Sequence, residues 1–555
     1  MRGANMPFSM HPSPQPSPGG RGGAEPSIIC GGLRVIARSL LLTVLMSVPV
    51  LADSVPTIPA LTWHDIVEKR GADPFAITRA EFEAQMAWLR EAGYTPIRLA
   101  DLESFRSGRF RLPSKPVLLT FDDGLKSYRD IALPVLRRHG FPSVLAIVTG
   151  WHDGEKMPAA YQGRLLDWPD LRVLAKSKDI EIISHSHNLH RSIPSNAQGN
   201  RAPAGITRRY EQATARHEDE AAFRTRIRHD LETTRRRFGK ELRYAPIAVA
   251  WPYGQYDQVL IDEAARLGMR WHLTLDATPT TLAGLPRINR QTFLRYRRIS
   301  QFEEALTHHE YRRQQQRFAL VTLDEFAGKT AAEQERLLSK LLSRLQLLHV
   351  NTVIVDPFTV DRRRAFFRNS QLPVAADVLN RLLHQAKSRL EIHHLVLRLP
   401  ARLPVKDWRP LYTELARLNR FSAVVIDGQT APRDRAAMVE LLRFYHPDLR
   451  VGIPSSGADK DKADFVLRTL DPGQDERVLE EQIRQTAGRH PRAWVLLHPH
   501  ARIPDERLIS AMRLLRRAGI AHYGTGIGIL PDNPRALLRL APELTAHTII
   551  EGEGG

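Results

Sequence analysis

Cysteine is almost absent from the 555 residues: there is one, Cys30. It stands ahead of the apolar run "SLLLTVLMSVPVLADS" (39–54), so it cannot be the acylated cysteine of a lipoprotein leader. Cleavage after Ala52 would leave a mature chain without a thiol, which suits an oxidising exported compartment. Long apolar runs are lacking too. The stretch before Ala52 is too short for a stop-transfer helix and has the small residues a signal peptidase reads, so the mature chain is expected to carry no transmembrane span. The Pro/Gly-rich "HPSPQPSPGGRGGAEPS" upstream has no targeting logic, which points to a true start nearer Leu33. Acids are in deficit, with Asp+Glu 61 against Lys+Arg 80 and a net charge of +19. That surplus is spread along helical faces such as "TRRRFGK" without interleaved aromatics, and therefore does not indicate nucleic acid.

What remains is the composition of a globular enzyme, 42% apolar and 25% charged, too long for one ordinary core. The expected organisation is a leader over 1–52, a first domain over 53–300, a linker over 301–317 in the charged "LTHHEYRRQQQR", and a second domain over 318–555. Short β-branched runs alternate with amphipathic helices from Pro59 on: "PALTWHDI", "TPIRLAD", "VLLTFDDG", "SVLAIVTG", "IEIISHS", "IAVAWPYG" and "RWHLTLD". This alternation predicts an α/β fold with parallel strands, either an open sheet or a barrel. Ligands bind at the carboxyl ends of such strands, and His64, Asp122, Asp123, His185 and Tyr253 stand at those ends.

Three segments carry chemistry. "TFDDG" ends a strand with Asp122 and Asp123. "IISHSHNLHR" places His185, His187 and His190 within six residues, a spacing that suits a loop curling around an ion rather than one helical face. Imidazole and carboxylate are the natural ligands of a divalent metal, and one carboxylate with two histidines leaves a position open for water. "AVAWPYGQYD" is fixed by Pro252 and turned by Gly254, so it can present the Tyr253 peptide N–H to a reacting oxygen.

Together these segments resemble the three motifs of the polysaccharide deacetylases of the family-four carbohydrate esterase type. Within them the similarity is narrower, to the periplasmic subgroup that deacetylates poly-β-1,6-N-acetylglucosamine in biofilm exopolysaccharide systems. The His segment, the long Arg-rich insertion behind it and a histidine in "LTWHDI" near the mature N-terminus carry that likeness over Pro59 to Ile299. The resemblance implies a (β/α) deacetylase barrel, one divalent ion (zinc, nickel, cobalt or iron) on Asp123, His185 and His190, Asp122 as base, His64 as acid and the Tyr253 N–H for the oxyanion. It also implies a periplasmic location, an N-acetylglucosamine polymer as substrate and an outer-membrane export porin as partner. One departure stands out: where the family carries an arginine that orients the base, this chain has Ala250, leaving Arg287 or Arg290 of "LPRINR" as substitutes. His187 has no assigned role.

Beyond the linker, eight further runs from "FALVTLD" to "AHYGTGIGIL" predict a (β/α)8-like barrel resembling the C-terminal glycan-binding and hydrolase-like domain of the same proteins. "GTGIG" lacks the helix start and acidic partner of a dinucleotide fingerprint and reads as a tight turn. Single acids, Asp324, Asp356, Asp427 and Asp532, follow the strands, with Phe358 and Tyr523 as aromatics to stack on sugars; Asp356, Asp427 and Tyr523 are the expected substrate contacts. The alternatives are a deacetylase of peptidoglycan or chitin oligomers, and a glycan-binding export factor with a vestigial site.

Overall fold

The strand Pro116–Phe121 shows how the first lobe is built. Val117, Leu119 and Phe121 enter a core with Leu61, Trp63 and Phe82 beneath the helices, while Leu118 joins Ala60, Val144, Ala146 and Ala250 in a second core on the other side of the sheet. The period of two that separates these sets also puts Thr120 and Asp122 on the inner side with Leu118. The computed structural model describes residues 57–545 except 72, 74, 293–298, 308–314, 391, 393, 401, 456–462, 490–491, 499–502 and 530–533. The expected leader and Asp532 lie outside the described residues.

Eight strands of the first sheet follow the order Arg287–Asn289, Trp271–Thr274, Ala248–Ala250, Ile180–Ser184, Ser143–Ile147, Pro116–Phe121, Ala60–Trp63, Gln291–Thr292, all parallel. Thr95–Ile97 pairs with the first half of Pro116–Phe121 as the ninth. The two end strands are separated in sequence by Arg290 alone, so the sheet must curl until its ends meet there. All seven runs read from the sequence are strands. The two that close the curl have three and two residues, too few to show a period.

The Arg-rich insertion forms two small antiparallel pairs, Ser192–Pro194 with Arg201–Pro203 and Tyr210–Glu211 with Arg216–His217, and then the helix Glu220–Leu242. The segment expected to be a linker begins instead as the helix Ile299–Thr307. Phe302 and Leu306 are buried there in the first lobe's outer core, with Phe302 edge-on to Trp88 at 5.7 Å. Burial of two apolar side chains a turn apart explains why a locally charged stretch is helical.

The second lobe is a closed barrel of eight parallel strands, Arg317–Val321 through His522–Gly526, the last pairing with the first. Phe318, Leu320, Ile354, Val396, Phe465 and Trp494 fill it, with Phe465 stacked on Trp494 at 4.2 Å. "GTGIG" is mostly the last strand rather than a turn. Gly524 is required there because a Cβ would lie 1.8 Å from the Phe318 carbonyl oxygen. The described residues of the two lobes belong to one compact unit. The insertion supplies part of the contact: Asn196 donates to Asn380 at 2.8 Å, and the Ile206 carbonyl accepts from Arg420 at 3.0 Å.

Candidate metal centre and hydrolytic site

Asp122 and Asp123 follow the same strand but point to different tasks because the backbone turns between them. Asp123 has φ 76° and Gly124 φ 74°, both left-handed. A Cβ at Gly124 would lie 2.7 Å from His152 Nε2, so the turn needs glycine. Left-handed backbone at a non-glycine residue is strained and gathers at functional sites. The turn aims Asp123 at the His loop. Asp122 stays inside the curled sheet.

The His loop leaves the strand Ile180–Ser184 through Ser186, whose φ is 75°. Asp230, on the helix Glu220–Leu242, accepts from the backbone N–H groups of His187 and Asn188 at 2.9 and 2.6 Å and so bends the loop back. His185 Nδ1–H donates to the Ala250 carbonyl at 2.6 Å, which reserves its Nε2 for the site. His185 Nε2 and His190 Nε2 lie 3.7 and 3.6 Å from Asp123 Oδ1, and the three candidate ligand atoms are all within 4.8 Å of one another. Ligands about 2.0–2.2 Å from a tetrahedral ion sit about 3.4 Å apart, close to these separations. Asp123 Oδ1 is buried without a hydrogen-bond partner among the described residues. Such an orphaned carboxylate oxygen facing two imidazole nitrogens fits a divalent cation. Burial pulls the His190 pKa down to about 4, keeping the ring neutral as a ligand must be.

His187 takes no part in this cluster. Its Nδ1 is 2.9 Å from the Thr149 hydroxyl and its Nε2 3.0 Å from Glu155, so it braces the loop.

Of the two arginines of "LPRINR", Arg290 is the one that reaches Asp122. Its Nη1 and Nη2 donate to the two Asp122 oxygens at 2.7 and 3.0 Å, and Nη1 also reaches the Thr62 and Thr120 hydroxyls at 3.1 Å each. Thr62 and Thr120 are register partners on neighbouring strands. Arg290 reaches them because the chain closes the curled sheet at that residue. Ala250 itself contributes only its carbonyl, to His185. Arg287 serves elsewhere, 3.9 Å from Asp276. Burial alone would raise the Asp122 pKa, but the Arg290 guanidinium outweighs it, with His185 and His64 adding to the effect, and holds the carboxyl well below the usual carboxylate range.

His64 follows Trp63, which pairs with Phe121, so register alone sets His64 alongside Asp122. Its ring lies 5.1 Å from that of the half-exposed Phe75. Tyr253 sits in the turn Pro252–Gly254 with φ 58°, and its exposed ring lies 4.5 Å from His190. The sequence reading missed Tyr161, which donates to Asp123 Oδ2 at 2.8 Å. It comes from the aperiodic "EKMPAAYQGRLLDW", where nothing in the pattern marks it.

In the barrel, Asp324, Asp356 and Asp427 follow the first, second and fourth strands and meet at a cavity of about 470 Å³. Asp356 receives two hydrogen bonds from Arg398, at 2.6 and 2.7 Å, and Asp427 lies 3.8 Å from Arg362. The stacking role expected of Tyr523 is wrong. It is buried, its hydroxyl donates to the Glu543 carbonyl at 3.0 Å, and the Arg317 guanidinium covers its ring at 3.8 Å. Its neighbours alternate between the barrel interior and the outer helices, and Tyr523 falls on the outer side. Phe358 lines the cavity but is itself buried against Phe367 and Tyr412.

Residues 111–272 match the polysaccharide deacetylase family model. The chain is 28% identical over 366 residues to the poly-β-1,6-N-acetyl-D-glucosamine N-deacetylase of Escherichia coli (strain K12), an alignment covering 63% of this chain and 53% of that protein. It thus spans about half the length of the curated relatives it matches first. The solved deacetylase domain of BpsB from Bordetella bronchiseptica is 34% identical, with 43% of this chain and 97% of that one aligned and a TM-score of 0.39. A de-N-acetylase from Aggregatibacter actinomycetemcomitans is 25% identical, covering 45% of this chain and all of the other, with a TM-score of 0.43.

Proposed function

We propose that this chain, whose residues 111–272 are a polysaccharide deacetylase domain, removes N-acetyl groups from poly-β-1,6-N-acetyl-D-glucosamine by metal-dependent hydrolysis. The observation that carries the reading is the pairing of two carboxylates with opposite environments: Asp122 clamped by Arg290, and Asp123 facing two histidines with an unpaired oxygen. Asp123, His185 and His190 would hold the ion. When bound, it supplies Lewis-acid activation of water and of the acetyl carbonyl. Asp122, kept ionised, accepts a proton from the attacking water. The Tyr253 peptide N–H donates to the oxygen that becomes anionic. His64, just past the end of the neighbouring strand, delivers a proton to the departing amine, without which the nitrogen is a poor leaving group.

The activity for which the relatives are named supports the substrate, and the apolar run before Ala52 supports export to the periplasm, where such a polymer would pass toward an outer-membrane porin. Among the described residues no helix is long and apolar enough to cross a membrane. The test is acetate release from defined β-1,6 and β-1,4 N-acetylglucosamine oligomers with and without chelator. Release from the β-1,6 series that chelator abolishes is expected. Preference for the β-1,4 series would transfer the activity to chitin-like or peptidoglycan substrates, and release indifferent to chelator would end the metal mechanism.

For the barrel we propose that the cavity binds and guides the glycan rather than cutting it. Glycoside hydrolysis needs two carboxyl groups across the scissile bond. Arg398 occupies both oxygens of Asp356, which supports binding over hydrolysis. The full chain is therefore expected to leave deacetylated β-1,6 oligomers at their original length by mass spectrometry. Shortening that disappears in Asp427→Asn would make it a two-activity enzyme.

A further inference from the structure

Tyr161 belongs to a strap that crosses the site between the Trp151 turn and the helix starting at Trp168. The strap is tied at several points: the Lys126 N–H donates to the Arg164 carbonyl at 2.7 Å, the Leu166 N–H to the Gly124 carbonyl at 2.9 Å, and Arg164 pairs with Asp65, next to His64. From it the Tyr161 hydroxyl donates to Asp123 Oδ2 at 2.8 Å, while its ring meets Trp151 edge-on at 5.7 Å. Trp151 in turn lies 4.9 Å from His190. Asp123 therefore has one oxygen fully engaged and the other bare. A carboxylate on a strained left-handed turn, free to rotate about its last torsion, would present either oxygen or neither.

We infer that Tyr161 is a positioning residue: its hydroxyl holds Asp123 Oδ2 so that Oδ1 faces His185 and His190, and it thereby sets the affinity of the site for a divalent cation. This rests on the reading of Asp123 as a metal ligand. Groups that hydrogen-bond a metal's ligands typically account for about 10–100-fold in affinity. Among the described residues the same hydroxyl makes no hydrogen bond to either imidazole, so its effect passes through the carboxylate.

The test uses the full chain stripped by chelator and titrated with zinc ion against a fluorescent competitor, in parallel with the melting temperature of the metal-free protein. Tyr161→Phe keeps the ring on Trp151 and is expected to weaken zinc binding about 10–100-fold with the metal-free melting temperature unchanged. Arg164→Met, which loosens the strap at Asp65 without touching Asp123, is expected to leave zinc affinity at the wild-type value. Wild-type affinity in Tyr161→Phe overturns the inference, as does an equal loss in both variants, which would assign the effect to strap packing. If Asp123→Asn takes up zinc as tightly as the wild type, the ligand assignment itself fails, and the inference falls with it.

Discussion

Asp123→Asn, His185→Ala and His190→Ala are each expected to strip the protein of bound metal and reduce acetate release to background together. Three protein ligands are the minimum that leaves one position open for chemistry, and two of them cannot hold the ion against water at working concentrations. The geometry makes the loss abrupt. The three ligand atoms lie within 4.8 Å of one another, and the third histidine of the loop, His187, is engaged by Thr149 and Glu155 and cannot replace a missing one. Elemental analysis of the purified variants, read beside acetate release, checks this. Full occupancy in any of the three would remove that residue from the ligand set.

Disruption of the Asp122–Arg290 pair should leave the metal in place and remove turnover. Asp122→Asn loses the base and is expected to lower kcat about 10²–10⁴-fold. Its amide oxygen still accepts one guanidinium hydrogen bond, and Thr62 and Thr120 keep theirs, so the loss of stability should be the smaller of the two variants. Arg290→Met leaves a buried carboxylate with no countercharge, a change that typically costs about 3–5 kcal/mol. The pH dependence has a definite sign. Folding lowers the Asp122 pKa, so the pair's stabilisation is complete above the ordinary carboxylate value and is lost as the pH falls through the lower folded value. With Arg290 gone, burial dominates and the Asp122 pKa rises. The acid limb of the rate profile should then move to higher pH in Arg290→Met. A profile superimposable on the wild type, at any overall rate, would show that Arg290 does not tune the base.

His64→Ala belongs with these variants in keeping its metal. Because the acid acts after the water has attacked, the defect should be largest for substrates with the poorest amine leaving group, as acetate release across a series of N-acetyl substrates would show.

Local pattern was enough to determine the alternation of strands and helices, and with it the parallel α/β class, because side-chain periodicity reports burial without knowledge of partners. It also brought forward Asp122, Asp123, His185 and His190, since residues at the carboxyl ends of parallel strands have little choice but to share one face. Tertiary structure alone decided which of them does what. The left-handed turn at Asp123 separates two adjacent aspartates into different environments, and no composition or spacing reveals a backbone torsion. Arg290 and Arg287 are three residues apart in one short segment, indistinguishable by sequence. Only the curling of the sheet, which brings its first and last strands together at position 290, sends one to Asp122 and the other to Asp276. Tyr161 lies in an aperiodic loop and Phe302 in a charged stretch, and both owe their placement to surfaces distant in the chain. Tyr523 failed in the opposite direction: its strand was legible, but which side of a closed barrel a residue faces depends on closure against the strand Arg317–Val321 at the other end of the domain, a long-range quantity that a local reading does not contain.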